Sequence, residues 1–341
     1  MQNCITVNCR MYLDRVLERH GWTNISPNSN KGIVPLTSDS KIIRELEETT
    51  GPTNPIDKRK LEKEMGFSYR TAIGELIYAM VTCRPDISFA VTKLSQYANQ
   101  PAQCHFTAVK NVFRYLVATK DEGLTYWRKT PNESLPDGPE PIPITPSHKW
   151  TVNLDGSVHI SPLHGFVDSN WASDTTHRRS VTGIVYMMAG AAVVYKTKFQ
   201  KTVALSSTEA EFVAAADAGK YALYLRSLLK NHGKDQESAV VLYEDNVGAY
   251  LMADAGQPTT RTRHIDIKHF ALLDWVENDM IKLQRIATSI NSADNLTKST
   301  PRIIFHRHNN IIMGKFNPKQ FVSIEDTDLL HICHYILYIF T

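Results

Sequence analysis

The chain has 341 residues, 42% of them hydrophobic and 21% charged, and a formal net charge of +3. That length gives ample core for two modest domains or one large one, and that composition excludes a disordered chain. The charge is too small to argue for a nucleic-acid partner by itself.

Five cysteines (Cys4, Cys9, Cys83, Cys104, Cys333) include no CxxC pair and show no regular spacing. An odd count without a signal peptide predicts free thiols in a reducing compartment. The N-terminus has no apolar h-region, and the apolar patch Ile332–Phe340 is about half the length a membrane span needs. A soluble intracellular protein with no membrane partner is expected.

In chain order, Met11–Gly21 reads as a helix, with Tyr12, Val16 and Leu17 on one stripe. From Thr23 to Lys63 the chain is polar and punctuated by Pro27, Pro35, Pro52 and Pro55, which predicts loop with short local structure. Phe67–Leu116 carries three helical stripes: Ile73, Leu76, Ile77 and Met80; then Ala90, Val91 and Leu94; then Phe106, Val109, Phe113 and Leu116. Arg84-Pro85-Asp86 and Pro101 separate them. Thr130–Ser147 holds six of the sixteen prolines and reads as a linker.

Beyond the linker the period changes. An apolar strand at Phe166 is followed by β-like runs Val181–Met188 and Ala191–Lys196, joined at Ala189-Gly190 as a hairpin. Then come a helix (Thr208–Asn231), a strand (Ala239–Tyr243), helices at Asn246–Ala253 and His264–Glu277, a strand (Ile281–Ala287) and a last helix from about Ser292. Interleaving of this kind predicts an α/β mixed sheet with helices on its faces. After about Gly314 the pattern is lost.

Four acids occupy compatible places on these elements. Asp168 lies in the Phe166 strand, where a buried carboxylate is expensive unless something compensates it. Its plainer reading is a solvent-facing Asp at a strand edge. Glu209 and Glu211 both fit a capping box, with Ser206 and Thr208. Glu211 shares its stripe with Ala214, Ala218, Ala222 and Leu225, the sheet-facing side, and Glu209 shares its own with Val213, Asp217 and Lys220. Glu211 is therefore the candidate ligand and Glu209 the cap.

Asp245 follows the apolar run Val240-Val241-Leu242, where ligands of open sheets gather. Tyr243-Glu-Asp-Asn246 superficially resembles a polymerase Tyr-x-Asp-Asp, but its last position is Asn246. Asp294 enters a helical segment and could equally be an N-cap. Together the four carboxylates suit two Mg²⁺ ions that clamp the attacking and leaving oxygens of an in-line displacement. Near them lie the clusters Arg178-Arg179, Lys196/Lys198/Lys201 and Arg261/Arg263/Lys268, an arrangement able to track phosphates; solvated faces and turns are the plain alternative.

Gly165-Phe-Val-Asp-Ser-Asn-Trp-Ala172, His177-Arg-Arg-Ser-Val-Thr-Gly183, Val203-Ala-Leu-Ser-Ser-Thr-Glu-Ala-Glu-Phe212, Tyr243-Glu-Asp-Asn246, Thr262-Arg-His-Ile-Asp-Ile-Lys-His269 and Ala293-Asp-Asn-Leu-Thr-Lys298 resemble the ribonuclease H domain of copia-type retrotransposon polyproteins, in the family's order. Gly66–Tyr78, Arg84-Pro-Asp-Ile87 and His105 to Tyr126 resemble the reverse-transcriptase thumb and connection. The resemblance spans about residues 10–315. It implies a ribonuclease H-like mixed five-stranded sheet with flanking helices, preceded by a small helical thumb/connection unit.

The divisions expected are 1–63 (partial thumb and polar loop), 64–129 (helical connection), 130–150 (linker), 151–300 (ribonuclease H-like) and 301–341 (a poorly ordered tail). Carried over residue by residue, the family's catalytic and metal-binding acids fall on Asp168, Glu211, Asp245 and Asp294. The implied activity is hydrolysis of the RNA strand of an RNA–DNA hybrid, with two Mg²⁺ ions and Mn²⁺ able to substitute.

Arg178, Arg179, Arg263 and Lys268 are the candidate phosphate contacts. Other polyprotein segments are possible partners, and the expected setting is a cytoplasmic particle or the nucleus. His264 and His269 make a weak zinc site, being five apart and without a Cys pair. The polymerase palm is missing, so the expectation is a truncated product unable to polymerise DNA. The competing expectation is an inactive hybrid-binding or assembly remnant.

Overall fold

The computed structural model describes residues 4–25, 33–127, 163–174, 177–236, 238–246 and 266–315. They fall into two compact units. One draws on 7–124 and 298–306, the other on 1–6, 125–297 and 307–340.

The first unit is helical. It contains α1 (Arg10–His20), α2 (Ser40–Glu48), α3 (Pro55–Met65), α4 (Tyr69–Cys83), α5 (Ser88–Ser95) and α6 (Gln103–Ala118). Leu13, Val16 and Leu17 are buried, as are Ile73, Leu76, Val91, Leu94, Phe106, Val109, Phe113 and Leu116, whereas Ile77 stays exposed. At the break between α4 and α5, the fully buried Arg84 guanidinium donates to both Asp86 oxygens, at 2.6–3.2 Å, and to the Thr119 carbonyl. The Tyr115 hydroxyl donates to Asp86 at 2.8 Å. Buried charges survive here because every one is paired.

The expected loop of 23–63 is corrected by α2 and α3. Asp39 and Asn54 cap them, each accepting a backbone N–H at 2.9 Å from Lys41 and Ile56. Pro55 takes the first helical position, where its missing N–H is no loss. No residue of α3 is buried, so no apolar stripe marks the helix in sequence.

The second unit holds a two-stranded sheet, β1 (Cys4–Val7) with β2 (Leu124–Trp127), and a five-stranded one. The larger sheet comprises β3 (His164–Asn170), β4 (Val181–Met188), β5 (Ala191–Phe199), β6 (Val240–Glu244) and β7 (Ile281–Arg285), in the order β5-β4-β3-β6-β7. β3, β4 and β5 pair antiparallel; β6 pairs parallel with both β3 and β7. The helices are α7 (Ser207–Asn231), α8 (Asp266–Glu277) and α9 (Asp294–Thr297), and α10 (Arg302–Ile312) follows. This is the mixed five-stranded sheet of a ribonuclease H-like fold. The β4–β5 turn places Ala189 and Gly190 at φ 51° and 87°, the left-handed pair a tight hairpin needs.

Four expectations change or fall elsewhere. The helix from about Ser292 is a single turn, α9. The tail from 301 opens with a helix: the buried face of α10 is Phe305, His308, Asn309 and Ile312, and its two polar members hide the helical period. The helix expected at 246–253 and the linker at 130–150 lie outside the described residues. Cys4, Cys9, Cys83 and Cys104 are free thiols. Among the described residues, no helix is long and apolar enough to cross a membrane.

The sheet is covered on both faces. All eight residues of β4 are buried, which explains its apolar run Ile184–Met188. On one face the Tyr186 hydroxyl donates to the Ala218 carbonyl of α7 at 2.8 Å. On the other, α9 lies so close to β4 that a Cβ on Gly183 would meet Thr297 Cγ2 at 2.6 Å and Leu296 Cβ at 2.9 Å.

Gly183→Ala should therefore lower stability by about 1–3 kcal/mol through overpacking. Gly74→Ala, in α4, meets nothing within 4 Å and should be neutral or stabilising by roughly 0.5–1 kcal/mol. Thermal melts of the two variants check this, and equal shifts would refute the close approach of α9.

Candidate active site

Strand alternation sets the first layer of the site. Asp168 sits opposite Gly183 in the β3–β4 register, on the α9 side, and its neighbour Ser169 points to the α7 side. The parallel register pairs Phe166 with Tyr243, so extending it by two residues brings Asp245 level with Asp168. The Phe166 and Tyr243 rings stack on the α9 side, 5.1 Å between centroids. Leu242 and Glu244 therefore face α7.

From α7 comes Glu211, buried together with Ala214, Ala218, Ala222 and Leu225. Ser206 caps the helix by accepting the Glu209 N–H at 3.1 Å, and Glu209 returns a carboxylate oxygen to the Leu205 N–H at 2.8 Å. Glu209 is thus the capping residue, which leaves Glu211 facing the sheet.

The acids meet at the rim where β3 and β6 end. One carboxylate oxygen from each of Asp168, Asp245 and Asp294 lies within 4.8 Å of the others. A second group, Glu211, Glu244 and Asp245, meets the same limit. All four acids expected from the sequence are brought together, with Asp245 common to both groups. Glu244 joins them although sequence reasoning passed it over.

Two further residues were missed. The Thr297 hydroxyl donates to Asp168 Oδ2, and the Asn170 amide donates to the Thr297 carbonyl at 3.3 Å. The fully buried Asn291 amide donates to the Val167 carbonyl at 2.8 Å and to Asp245 Oδ1 at 3.4 Å. Its own carbonyl oxygen accepts the Ala293 N–H. These bonds fix α9, and with it Asp294, against β3. No local pattern marks either residue, because each acts through a partner more than 120 residues away in the sequence.

The candidate phosphate contacts divide. Arg178 and Arg179 are exposed in the loop after β3, where Arg178 adopts φ 55° and its N–H donates to the Asp174 carbonyl at 2.7 Å. Arg263 and His264 lie outside the described residues, as do the side chains of Lys268 and His269.

Burial dominates the electrostatics of the two glutamates. Desolvation, followed by the charges of Glu244, Asp168 and Asp245, pushes the Glu211 carboxyl up to about 11. Glu244 is likewise raised well above the carboxylate range, first by desolvation and then by Asp245 and Asp168, against a lowering contribution from the Asn246 N–H. Among the described residues, neither glutamate forms an ion pair with Lys or Arg.

The sign of the linkage follows. Without divalent cations, the folded chain keeps a proton on Glu211 that the unfolded chain releases near 4.5. Stability is therefore lost as pH rises from about 4.5 towards 11. In chelator, Glu211→Gln should raise the melting temperature at pH 8 more than at pH 5, with about 2–4 °C for each kcal/mol gained. Equal shifts at both pH values would contradict this assignment.

No family model matches the sequence. The chain is 33% identical over 291 residues to a retrovirus-related Pol polyprotein from transposon TNT 1-94 of Nicotiana tabacum, covering 85% of this chain and 19% of that protein. It is 30% identical over 237 residues to the corresponding polyprotein from transposon RE2 of Arabidopsis thaliana, covering 70% of this chain and 14% of that protein. It thus spans less than a fifth of the length of either. Among solved structures, an RNase H1 isolated from compost matches 40% of this chain and 92% of its own, with 13% identity and a TM-score of 0.32. So distant a likeness adds nothing to the strand order described above. The long, shared matches identify its relatives: over most of its length this chain is homologous to the retrovirus-related Pol polyproteins of copia-type transposons.

Proposed function

We propose that the sheet unit is a ribonuclease H-type nuclease that hydrolyses the RNA strand of RNA–DNA hybrids with Mg²⁺ or Mn²⁺. Asp168, Glu211, Asp245 and Asp294 are its catalytic acids. The observation that carries this reading is their meeting at one rim in two three-oxygen groups joined through Asp245.

The residues fit divalent cations. Every donor is a carboxylate oxygen, the ligand type Mg²⁺ takes. Glu211 Oε2 is buried with no hydrogen-bond partner, a costly state that a bound cation would relieve. Ions held by these acids would neutralise the charge that builds on the scissile phosphate. The chain's own part is positioning. Thr297 and Asn291 hold Asp168 and Asp245 through one oxygen each, and Gly183 lets α9 carry Asp294 to within reach.

Arg178 and Arg179 extend the reading to substrate as proposed phosphate contacts, with Arg263 and Lys268 as further ones. Phosphate contacts position a duplex without reading its bases, so selection would rest on hybrid shape and the 2′-hydroxyl. The proposed setting is a transposon particle in the cytoplasm, or the nucleus, with other polyprotein segments as partners.

Purified full chain with Mg²⁺ should cleave the RNA strand of a labelled hybrid. Asp168→Asn and Asp245→Asn should each slow cleavage by about 10²-fold or more, equivalent to roughly 3 kcal/mol of transition-state stabilisation. Unaltered rates in both variants would sink the site assignment.

A further inference from the structure

Glu244 is fully buried at the last position of β6, and its strand row faces α7. Its Oε1 accepts the Asn246 N–H at 3.1 Å, whereas Oε2 is buried with no hydrogen-bond partner. Glu211 Oε2, arriving from the opposite element, is in the same state. Both carboxylates thus carry a buried oxygen without a partner, and each offers one oxygen within 4.8 Å of the other and of Asp245. Oxygens on opposite sides of a Mg²⁺ ion lie about 4.2 Å apart at its usual bond lengths, so three oxygens gathered within 4.8 Å of one another are close enough to be drawn onto one cation.

We propose that Glu244 is a direct ligand of the divalent cation on the α7 side of the site, completing a three-carboxylate cradle with Glu211 and Asp245. This rests on the reading that the acids hold divalent cations. It adds a fifth carboxylate to the four that the sequence nominates.

The alternative is a buried Glu244 that stays out of the ion's shell and merely supports Glu211. The two differ in a simple way. A ligand is favourable only when the ion is present, so its neutral isostere should help the metal-free protein and harm the loaded one. A supporting group lost from beside Glu211 would weaken the ion by about 10–100-fold at most.

The test counts Mn²⁺ bound to the full chain by electron paramagnetic resonance, with melting temperatures in chelator and in Mn²⁺. Wild type should bind two ions. Glu244→Gln should weaken one of them by more than about 100-fold, beyond the 10–100-fold that outer-shell changes bring. It should also raise the melting temperature in chelator and shrink the gain that Mn²⁺ gives. Glu211→Gln should weaken the same ion, and Asp294→Asn the other.

A loss of no more than about 100-fold for either ion in Glu244→Gln would overturn the proposal, even where the hybrid is still cleaved and the nuclease reading stands. Loss of one ion in that variant supports it, even if wild type cleaves no hybrid. Wild type that binds no Mn²⁺ would overturn both. Should Glu244→Gln fail to fold, the ¹³C hyperfine couplings of Mn²⁺ in ¹³C-glutamate-labelled wild type decide: two glutamate carboxyl carbons coupled at ligand distance support the cradle, and one alone refutes it.

Discussion

Everything at the rim depends on holding like charges together. Carboxylate oxygens within 4.8 Å of one another repel by about 3 kcal/mol for each ionised pair at an effective dielectric of about 20. Among the described residues, no Lys or Arg pairs with Glu211 or Glu244 to offset this. The helical unit solves the same problem differently, by giving Arg84 and Asp86 to each other. At the rim, the surrounding fold must impose the arrangement. The fully buried β4 and the alanine stripe of α7 do so: small side chains let the helix approach the sheet closely, and that approach carries Glu211 to the strand ends.

The weakest link is α9, a helix of four residues. A turn that short has no intrinsic stability, because nucleation alone costs more than its hydrogen bonds return. Its position is instead imposed from outside. Thr297 and Asn170 tie it to β3, Asn291 anchors the chain just ahead of it, and Gly183 clears the space beneath. The two hydrogen bonds that reach the acids, from Thr297 and Asn291, are thus the same ones that hold the helix. Positioning of the site and integrity of this face of the sheet are one property.

Legibility in the sequence followed periodicity. Glu211 could be told from Glu209 because a long helix fixes which residues share a face, and the capping bonds of Ser206 and Glu209 agree with that division. The β4–β5 hairpin was legible from two β-like runs about a small-residue turn. What failed had no clean period. α3 buries nothing, α10 hides His308 and Asn309 in its buried face, and the prolines near α2 and α3 read as breaks although Pro55 starts a helix. Glu244 was overlooked because Asp245 looked like the end of the strand. Read as a row, Val240, Leu242 and Glu244 alternate towards α7, so the parity of a buried strand held the signal. Thr297 and Asn291 matter through contacts 129 and 124 residues away in sequence, respectively, which no local pattern records.

That parity also explains why one acid serves both groups. Within a strand, successive side chains must go to opposite faces, so Asp168 and Asp294 collect on the α9 side and Glu211 and Glu244 on the α7 side. Asp245 comes one residue after the last strand position of β6. Freed from the ladder, its carboxylate can lie at the edge and be reached from either face. A site fed by both faces of a sheet needs such a residue, since no member of the strand proper can serve both. On the proposed reading, the cations would supply the compensation that side chains do not, so ion binding and local stability would rise together. Without them, the buried glutamates keep their protons, and the rim stays the least favourable part of an otherwise well-packed sheet.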